Sequence, residues 1–201
     1  MSRPHVIGLT GNIACGKSTV RGLLADLGAA TLDADSLVHA MYEPGDPVYD
    51  AVVRQFGGRI LGADAIIDRR ALGRIVFADA DALKRLESIV HPAVIEREWA
   101  WVATQTAPVA VLEAVKLVES GSADGCDAVW VVTCDPTEQR RRLLARPGIS
   151  EAEADRRLDV QPPRDAKLAR ATLVIENNGT LDALQATVAA AWAALPLPET
   201  H

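Results

Sequence analysis

The segment Gly11-Asn12-Ile13-Ala14-Cys15-Gly16-Lys17-Ser18 constrains this chain more than any other. It matches G-x-x-x-x-G-K-[ST] and stands where that pattern has physical meaning. The apolar run Val6-Ile7-Gly8-Leu9-Thr10 precedes it, and an amphipathic stretch with Val20, Leu23, Leu24 and Leu27 follows. Glycines let a backbone turn its N–H groups inward as a nest, and a helix starting near Lys17 points its positive end at the same place. The pattern therefore predicts a phosphate-binding loop made by Gly11, Asn12, Ile13, Ala14, Cys15, Gly16, Lys17, Ser18 and Thr19. In that reading Lys17 reaches the outer phosphates of a nucleotide and the Ser18 hydroxyl sits on Mg2+.

The remaining apolar runs supply the sheet that such a loop needs behind it. Ala30–Asp35, Val109–Leu112, Ala128–Thr133 and Thr172–Ile175 join Val6–Thr10 as short runs that do not alternate with polar residues. Strands buried on both faces of a parallel sheet read this way, and helical stretches lie between them. Asp135-Pro136-Thr137-Glu138 and Ser150-Glu151-Ala152-Glu153 read as capped helix starts. Asp35 is expected to cap a helix beginning at Ser36, and Pro92 to be a first helical residue after His91. Thr180 is expected to cap a last helix with Leu184, Val188 and Trp192 on one face, and the tail from Pro196 to fray.

Two stretches do not fit a minimal α/β unit. About 70 residues separate the second and third strands, far more than a crossover helix needs. They carry helical patterns of their own, at Leu72-Ile75-Val76, Leu83-Leu86-Ile89-Val90 and Val94 to Val102. The second stretch, Pro136 to Arg170, holds nine basic side chains against six acidic ones, in a chain whose net charge is −6. A basic segment on an acidic protein points to a local anionic ligand. The expected organisation is a core of residues 1–35, 107–135 and 168–201, a helical insert over 36–106, and an arginine-rich lid over 136–167.

Composition removes several classes. With 27 acidic residues against 21 basic ones the chain has no overall attraction for a nucleic-acid backbone. No stretch approaches the roughly 20 apolar residues of a membrane helix, and the start has no secretory pattern. Cys15, Cys126 and Cys134 are odd in number and lack zinc-ligand spacing, which fits inert thiols in a reducing compartment. A cytoplasmic protein is expected.

A switch GTPase would carry an Asn-Lys-x-Asp base-reading motif, and none is present. The long insert and the basic segment instead match the small-molecule kinases. In order and spacing the chain resembles the dephospho-CoA kinase family over nearly its whole length. The resemblance rests on Gly8-Leu9-Thr10-Gly11 leading into Gly16-Lys17-Ser18, and on Leu32-Asp33-Ala34-Asp35 with His39 following. It continues through Leu72-Gly73-Arg74 to Val76-Phe77, Leu86-Glu87 and His91-Pro92, then Gln139, Arg142 and Arg146, then Arg157 and Gln161, and ends at Asn177. One stretch departs: Glu113-Ala114-Val115-Lys116-Leu117-Val118-Glu119 keeps Glu119 but has Val115 and Lys116 where the family has Pro and Leu.

The resemblance implies an α/β fold like that of nucleoside-monophosphate kinases, with a five-stranded parallel sheet flanked by helices. It implies transfer of phosphate from ATP, with Mg2+, to the ribose 3′-hydroxyl of dephospho-CoA. Asp33, Lys17 and Arg142 would then be catalytic, with Asp33 taking the proton, unless Asp33 is only a helix cap. Arg142, Arg146 and Asn177 would join the loop around ATP, Asn177 contacting adenine or serving a turn with Asn178-Gly179. Asp33, His39, Leu72, His91, Glu119, Arg157 and Gln161 would hold the acceptor. His39 either touches it or pairs with a carboxylate, and His91 either touches it or caps and packs. A nucleoside or nucleoside-monophosphate kinase, or a non-catalytic nucleotide-binding module, is the alternative. The oligomeric state stays open, a monomer being the simple expectation.

Overall fold

The five apolar runs lie side by side in one sheet, in the order β2-β3-β1-β4-β5. In the computed structural model, which describes residues 3–197, the strands are β1 (His5–Thr10), β2 (Ala30–Asp33), β3 (Val109–Glu113), β4 (Ala128–Thr133) and β5 (Leu173–Glu176). β1 pairs parallel with β3, Ile7 opposite Val111, and with β4, Leu9 opposite Trp130; β4 pairs parallel with β5. Every residue of β3 is buried, as a strand covered on both faces requires. Parallel neighbours need crossovers, and α1 (Lys17–Asp26) and α9 (Leu181–Ala193) supply cover on one face. Val20 and Leu24 of α1 and Leu184 and Val188 of α9 pack there against Ile7, Leu9, Val111, Trp130 and Val132. The consequence for function is position: β1 is the central strand, and the glycine loop leaves its carboxyl end between neighbours that lead in opposite directions, the crevice where open α/β sheets bind ligands.

The chain divides into two units, one of residues 1–32 with 102–201, the other of residues 33–101. The second is helical: α2 (Ala34–Met41), α3 (Pro47–Phe56), α4 (Arg69–Val76) and most of α5 (Ala80–Ala103). Its helix starts are capped by carboxylates. Asp46 accepts from Val48 N–H at 2.9 Å and Asp68 from Arg70 N–H at 2.8 Å. Asp46 also pairs with Arg97 of α5 at 2.6 Å, fastening that long helix to α3.

Several local expectations are corrected. α2 begins at Ala34 rather than Ser36, and its cap is Asp33, whose Oδ1 accepts from Asp35 N–H at 3.0 Å. Pro92 does not start a helix: α5 runs through it for 24 residues. An interior proline removes one hydrogen bond and crowds the preceding turn. Here Ala82, Val90, Val94 and Val102 are all buried along the helix, so packing on both sides of Pro92 outweighs the local preference to stop. Asp135 opens α6 (Pro136–Leu144) without a side-chain cap; its own N–H is held instead by Asn178 Oδ1 at 2.7 Å. Ser150 and Thr180 do cap, accepting from Glu153 and Ala183 N–H, each at 3.3 Å. The expected fraying beyond Pro196 concerns chiefly residues 198–201, which lie outside the described residues.

Candidate active site: a phosphate cradle

The loop between β1 and α1 has the backbone an anion site needs. Gly11 takes φ +147° and a Cβ there would meet the Val132 carbonyl oxygen at 2.2 Å; Gly16 takes φ +98° and a Cβ would meet Asn177 Nδ2 at 2.2 Å. Only glycine fits either place. Between them Ala14 holds a left-handed φ of 60° although it has a Cβ, a conformation that neighbouring contacts must impose. α1 then starts at Lys17 with no side-chain cap and no acidic residue in its first turn. Its first N–H groups have no partner within the helix and stand at the end of the dipole that favours negative charge.

Around this turn Ala14, Gly16, Lys17, Ser18 and Thr19, with Arg142 and Arg146, line a cleft of about 230 Å3. Lys17, 8% exposed, lies back along the loop, its Nζ donating to the Asn12 carbonyl at 3.3 Å. Three cations thus face one small cleft whose lining holds no carboxylate. Arg142 comes from α6, where its i, i+4 spacing with Arg146 predicts one shared helix face; α6 instead ends at Leu144 and Arg146 lies in the bend after it. The Arg142 guanidinium is aimed by three contacts: Nε donates to Glu138 at 2.6 Å, Nη2 to the Asn177 carbonyl at 2.9 Å, and Nη1 to the Cys15 carbonyl at 3.5 Å. Arg141 and Arg142 together hold the Glu138 carboxyl well below the usual range, at about 2, so this aim persists across any working pH. Asn177, buried after β5, donates from Nδ2 to the same Cys15 carbonyl at 2.9 Å. It braces the loop behind Gly16, where a turn with Asn178-Gly179 or a contact with adenine is expected of it from the sequence.

One residue of this region escaped the sequence reading. Glu113 ends β3 beside β1, and its Oε1 accepts from the Ser18 hydroxyl at 3.2 Å while Oε2 pairs with Arg21 at 2.5 Å. Its signal was a carboxylate closing a wholly apolar strand, in a stretch read only for its departures downstream. A buried carboxylate touching the hydroxyl of the glycine-loop serine is the donor chemistry that suits a hard divalent cation, so Ser18 and Glu113 fit Mg2+.

The arginine-rich segment is fastened by ion pairs. Arg140 reaches from α6 to Asp155 at 2.8 Å and Glu151 at 3.5 Å on α7 (Glu151–Asp159), and Arg157 pairs with Glu153 at 2.6 Å within α7. Arg141 is turned to Glu138 at 2.6 Å, so neither Arg140 nor Arg141 is merely solvated. α8 (Arg164–Arg170) brings Lys167, which is fully buried and paired with Glu119. Glu119, expected to hold the acceptor, is thus ion-paired within the chain through Oε1. Gln161, also expected to hold the acceptor, accepts from the Ile13 N–H at 2.6 Å.

The other expected residues belong to the helical unit. Asp33 is the last residue of β2 and the cap of α2. His39 on α2 pairs with no carboxylate: Nδ1 faces the Asp35 carbonyl at 2.8 Å and Nε2 meets the Arg69 guanidinium. Leu72 is 3% exposed, a packing residue of α4, and His91 sits in the middle of α5 and not at a helix start.

Two of the three thiols are buried against each other. Cys15 and Cys134 are buried, their sulfurs 3.3 Å apart, and burial, reinforced by Cys15, pushes the Cys134 thiol up to about 12. No disulfide forms among the described cysteines. Among the described residues no helix is long and apolar enough to cross a membrane, and no group of three or more His, Cys, Asp or Glu is gathered for a metal.

Comparison with known proteins agrees with this geometry. The family model of dephospho-CoA kinase matches residues 5–183. The dephospho-CoA kinase of Symbiobacterium thermophilum is 47% identical over 94% of this chain and 81% of its own, and that of Geobacter sulfurreducens is 46% identical over 94% and 98%. Among solved structures, TT1252 from Thermus thermophilus superposes with TM-score 0.82 at 37% identity, covering 96% of this chain and 99% of its own. A shikimate kinase from Acinetobacter baumannii, at 17% identity and TM-score 0.53, covers 94% of each chain and shares the fold alone. On its sequence match across nearly the whole chain, with the cradle in place, this protein belongs to the dephospho-CoA kinase family.

Proposed function

We propose that the chain transfers the γ-phosphoryl group of ATP to the ribose 3′-hydroxyl of dephospho-CoA, giving CoA and ADP, and that it does so in the cytoplasm. The observation that carries this is the uncapped first turn of α1 facing Lys17, Arg142 and Arg146 across one cleft, in a chain of this family. The loop N–H groups receive the phosphates, while Lys17 and the two arginines neutralise charge as the phosphoryl group passes between oxygens. Fixed donors of this kind need no reorganisation when charge develops, which is where most of the rate arises in phosphoryl transfer. Mg2+, bound through Ser18 with Glu113 behind it, would add Lewis-acid stabilisation of the phosphate oxygens. The helical unit supplies the acceptor's contacts, and the segment from α6 to α8 acts as the lid that keeps water from the phosphates.

We assign Asp33 as proton acceptor for the 3′-hydroxyl. Its capping bond to Asp35 N–H fixes the side chain's direction, which a general base requires. Asn caps as well as Asp, so Asp33→Asn keeps α2 while removing the base. Pure protein with ATP, Mg2+ and dephospho-CoA should yield ADP and CoA in equal amounts, and AMP, CMP or UMP in place of the acceptor should yield none. Asp33→Asn should lower kcat roughly 100-fold or more with ATP affinity unchanged. A variant within about threefold of wild type would reduce Asp33 to a cap. Phosphorylation of a nucleotide, with dephospho-CoA inert, would keep the cradle and sink the acceptor.

A further inference from the structure

Both polar groups that Ile13 offers at the phosphate loop are taken by glutamine side chains. Its N–H donates to Gln161 Oε1 at 2.6 Å, and its carbonyl accepts from Gln139 Nε2 at 2.7 Å. Gln139 lies on α6, and Gln161 lies in the link between α7 and α8. The two amides have opposite duties: one must present oxygen and the other nitrogen, and neither can flip without setting like against like. The next residue, Ala14, is the one held at φ 60° and lines the cleft with Gly16 and Lys17. A left-handed alanine persists only where its surroundings over-determine it. The Cys15 carbonyl, one residue further, is held by Asn177. The strained residue therefore sits between two pinned ones.

We propose that Gln139 and Gln161 are positioning residues for the phosphate cradle, clamping the Ile13 backbone so that the left-handed turn at Ala14 is formed before the nucleotide arrives. The inference rests on the reading of this cleft as the ATP phosphate site. It gives Gln161 a role other than acceptor binding. It also links the loop's shape to the segment that carries Arg142 and Arg146, since moving that segment releases one or both holds on Ile13.

Hydrogen-bond direction provides the test. Gln139→Glu and Gln161→Glu each add one negative charge beside the cleft with almost no change in volume. At position 161 a carboxylate still accepts from the Ile13 N–H. At position 139 it confronts the Ile13 carbonyl, acceptor against acceptor. ATP affinity of the full chain would be measured by titration without acceptor, alongside kcat, both KM values and thermal melting. Gln139→Glu should weaken ATP binding, and raise KM for ATP, on the order of tenfold beyond Gln161→Glu. KM for dephospho-CoA should stay within about twofold of wild type in both, and Gln161→Leu should lose what Gln161→Glu keeps. Should Gln139→Glu not melt cooperatively, Gln139→Leu replaces it, with the same ordering against Gln161→Glu expected. Equal losses in the two glutamate variants, no loss in either, or a shift in the acceptor's KM as large as that for ATP would overturn the clamp. A wild-type chain that binds ATP but leaves dephospho-CoA untouched would instead sink the acceptor assignment, and the ATP titrations would still decide the clamp.

Discussion

The phosphate cradle and the arginine-rich segment beside it both present cations to the same cleft, but they are built in opposite ways. The cradle is backbone: two glycines without room for a Cβ, an alanine in a left-handed turn, and buried side chains behind them. The segment is side chain: helices α6 and α7 meet over the buried Leu143 and Ala154, and their outer surface is tied by ion pairs between half-exposed groups, as with Arg140 and Asp155, whose side chains are 38% and 52% exposed. A backbone site cannot adapt, so a small change at it should have a large effect. An ion-paired surface can rearrange in water, so single changes there should have small ones. The difference also matches the duties proposed for them, a fixed receptor for phosphate and a cover that moves.

The sharpest way to break this contrast is Gly16→Ala. The new Cβ would stand 2.2 Å from Asn177 Nδ2, and the residue would be held at φ +98°. Relief requires either the loop or Asn177 to move, and moving Asn177 releases the Cys15 carbonyl. We expect kcat/KM for ATP to fall on the order of 100-fold or more, as misplacement by about an ångström does elsewhere. Steady-state kinetics at saturating acceptor measure this. Near-normal activity would mean that the loop is as adaptable as the segment.

The same contrast explains what the sequence disclosed. The glycine loop, the strands and the family's short motifs are legible because each is local: a glycine at a forced φ, or a short apolar run, which is wholly buried in β3 although β2 is only half-buried and β5 exposes Val174. Side-chain partners are not local. Nothing near Glu119 in sequence announces that Lys167, 48 residues later, buries its charge against it. Gln161 meets Ile13 across a separation of 148 residues, and Ser18 meets Glu113 across 95. The sequence thus disclosed the loop proposed to receive phosphate, and did not show which polar side chains pair within the chain. Pro92 failed for a related reason: the local rule for a helix start was sound, but the packing of Val90 and Val94 on either side overrode it.

A second prediction tests a charged point where the segment behaves like the core. Lys167 is fully buried, its side chain 1% exposed, and Glu119 is its counter-charge. Glu119→Gln would leave that lysine charged and uncompensated, which should lower stability by about 2–3 kcal/mol, a drop in Tm of roughly 5–10 °C. Adding Lys167→Met should recover most of the loss, because it removes the buried charge that Glu119→Gln leaves uncompensated. Thermal unfolding of the single and double variants measures both. An unchanged Tm for Glu119→Gln would return Glu119 to the acceptor, as the family resemblance implied.

The smallest effect should come from Arg140→Ala. It removes two ion pairs from α6 to α7, with Asp155 and Glu151, and leaves the buried contact of Leu143 with Ala154, while all three charged side chains reach water. Water and salt take over what the pair gives up, so Tm should change by about 3 °C or less, and by less still at high ionic strength. KM for ATP should hardly move, since Arg142 is aimed by Glu138 and by the Asn177 carbonyl rather than by Arg140. If Arg140→Ala instead raised KM for ATP as Gln139→Glu is expected to, α7 would be setting the shape of the phosphate loop. The cradle and its cover would then be one element, and the contrast between rigid backbone and adaptable surface would have to be given up.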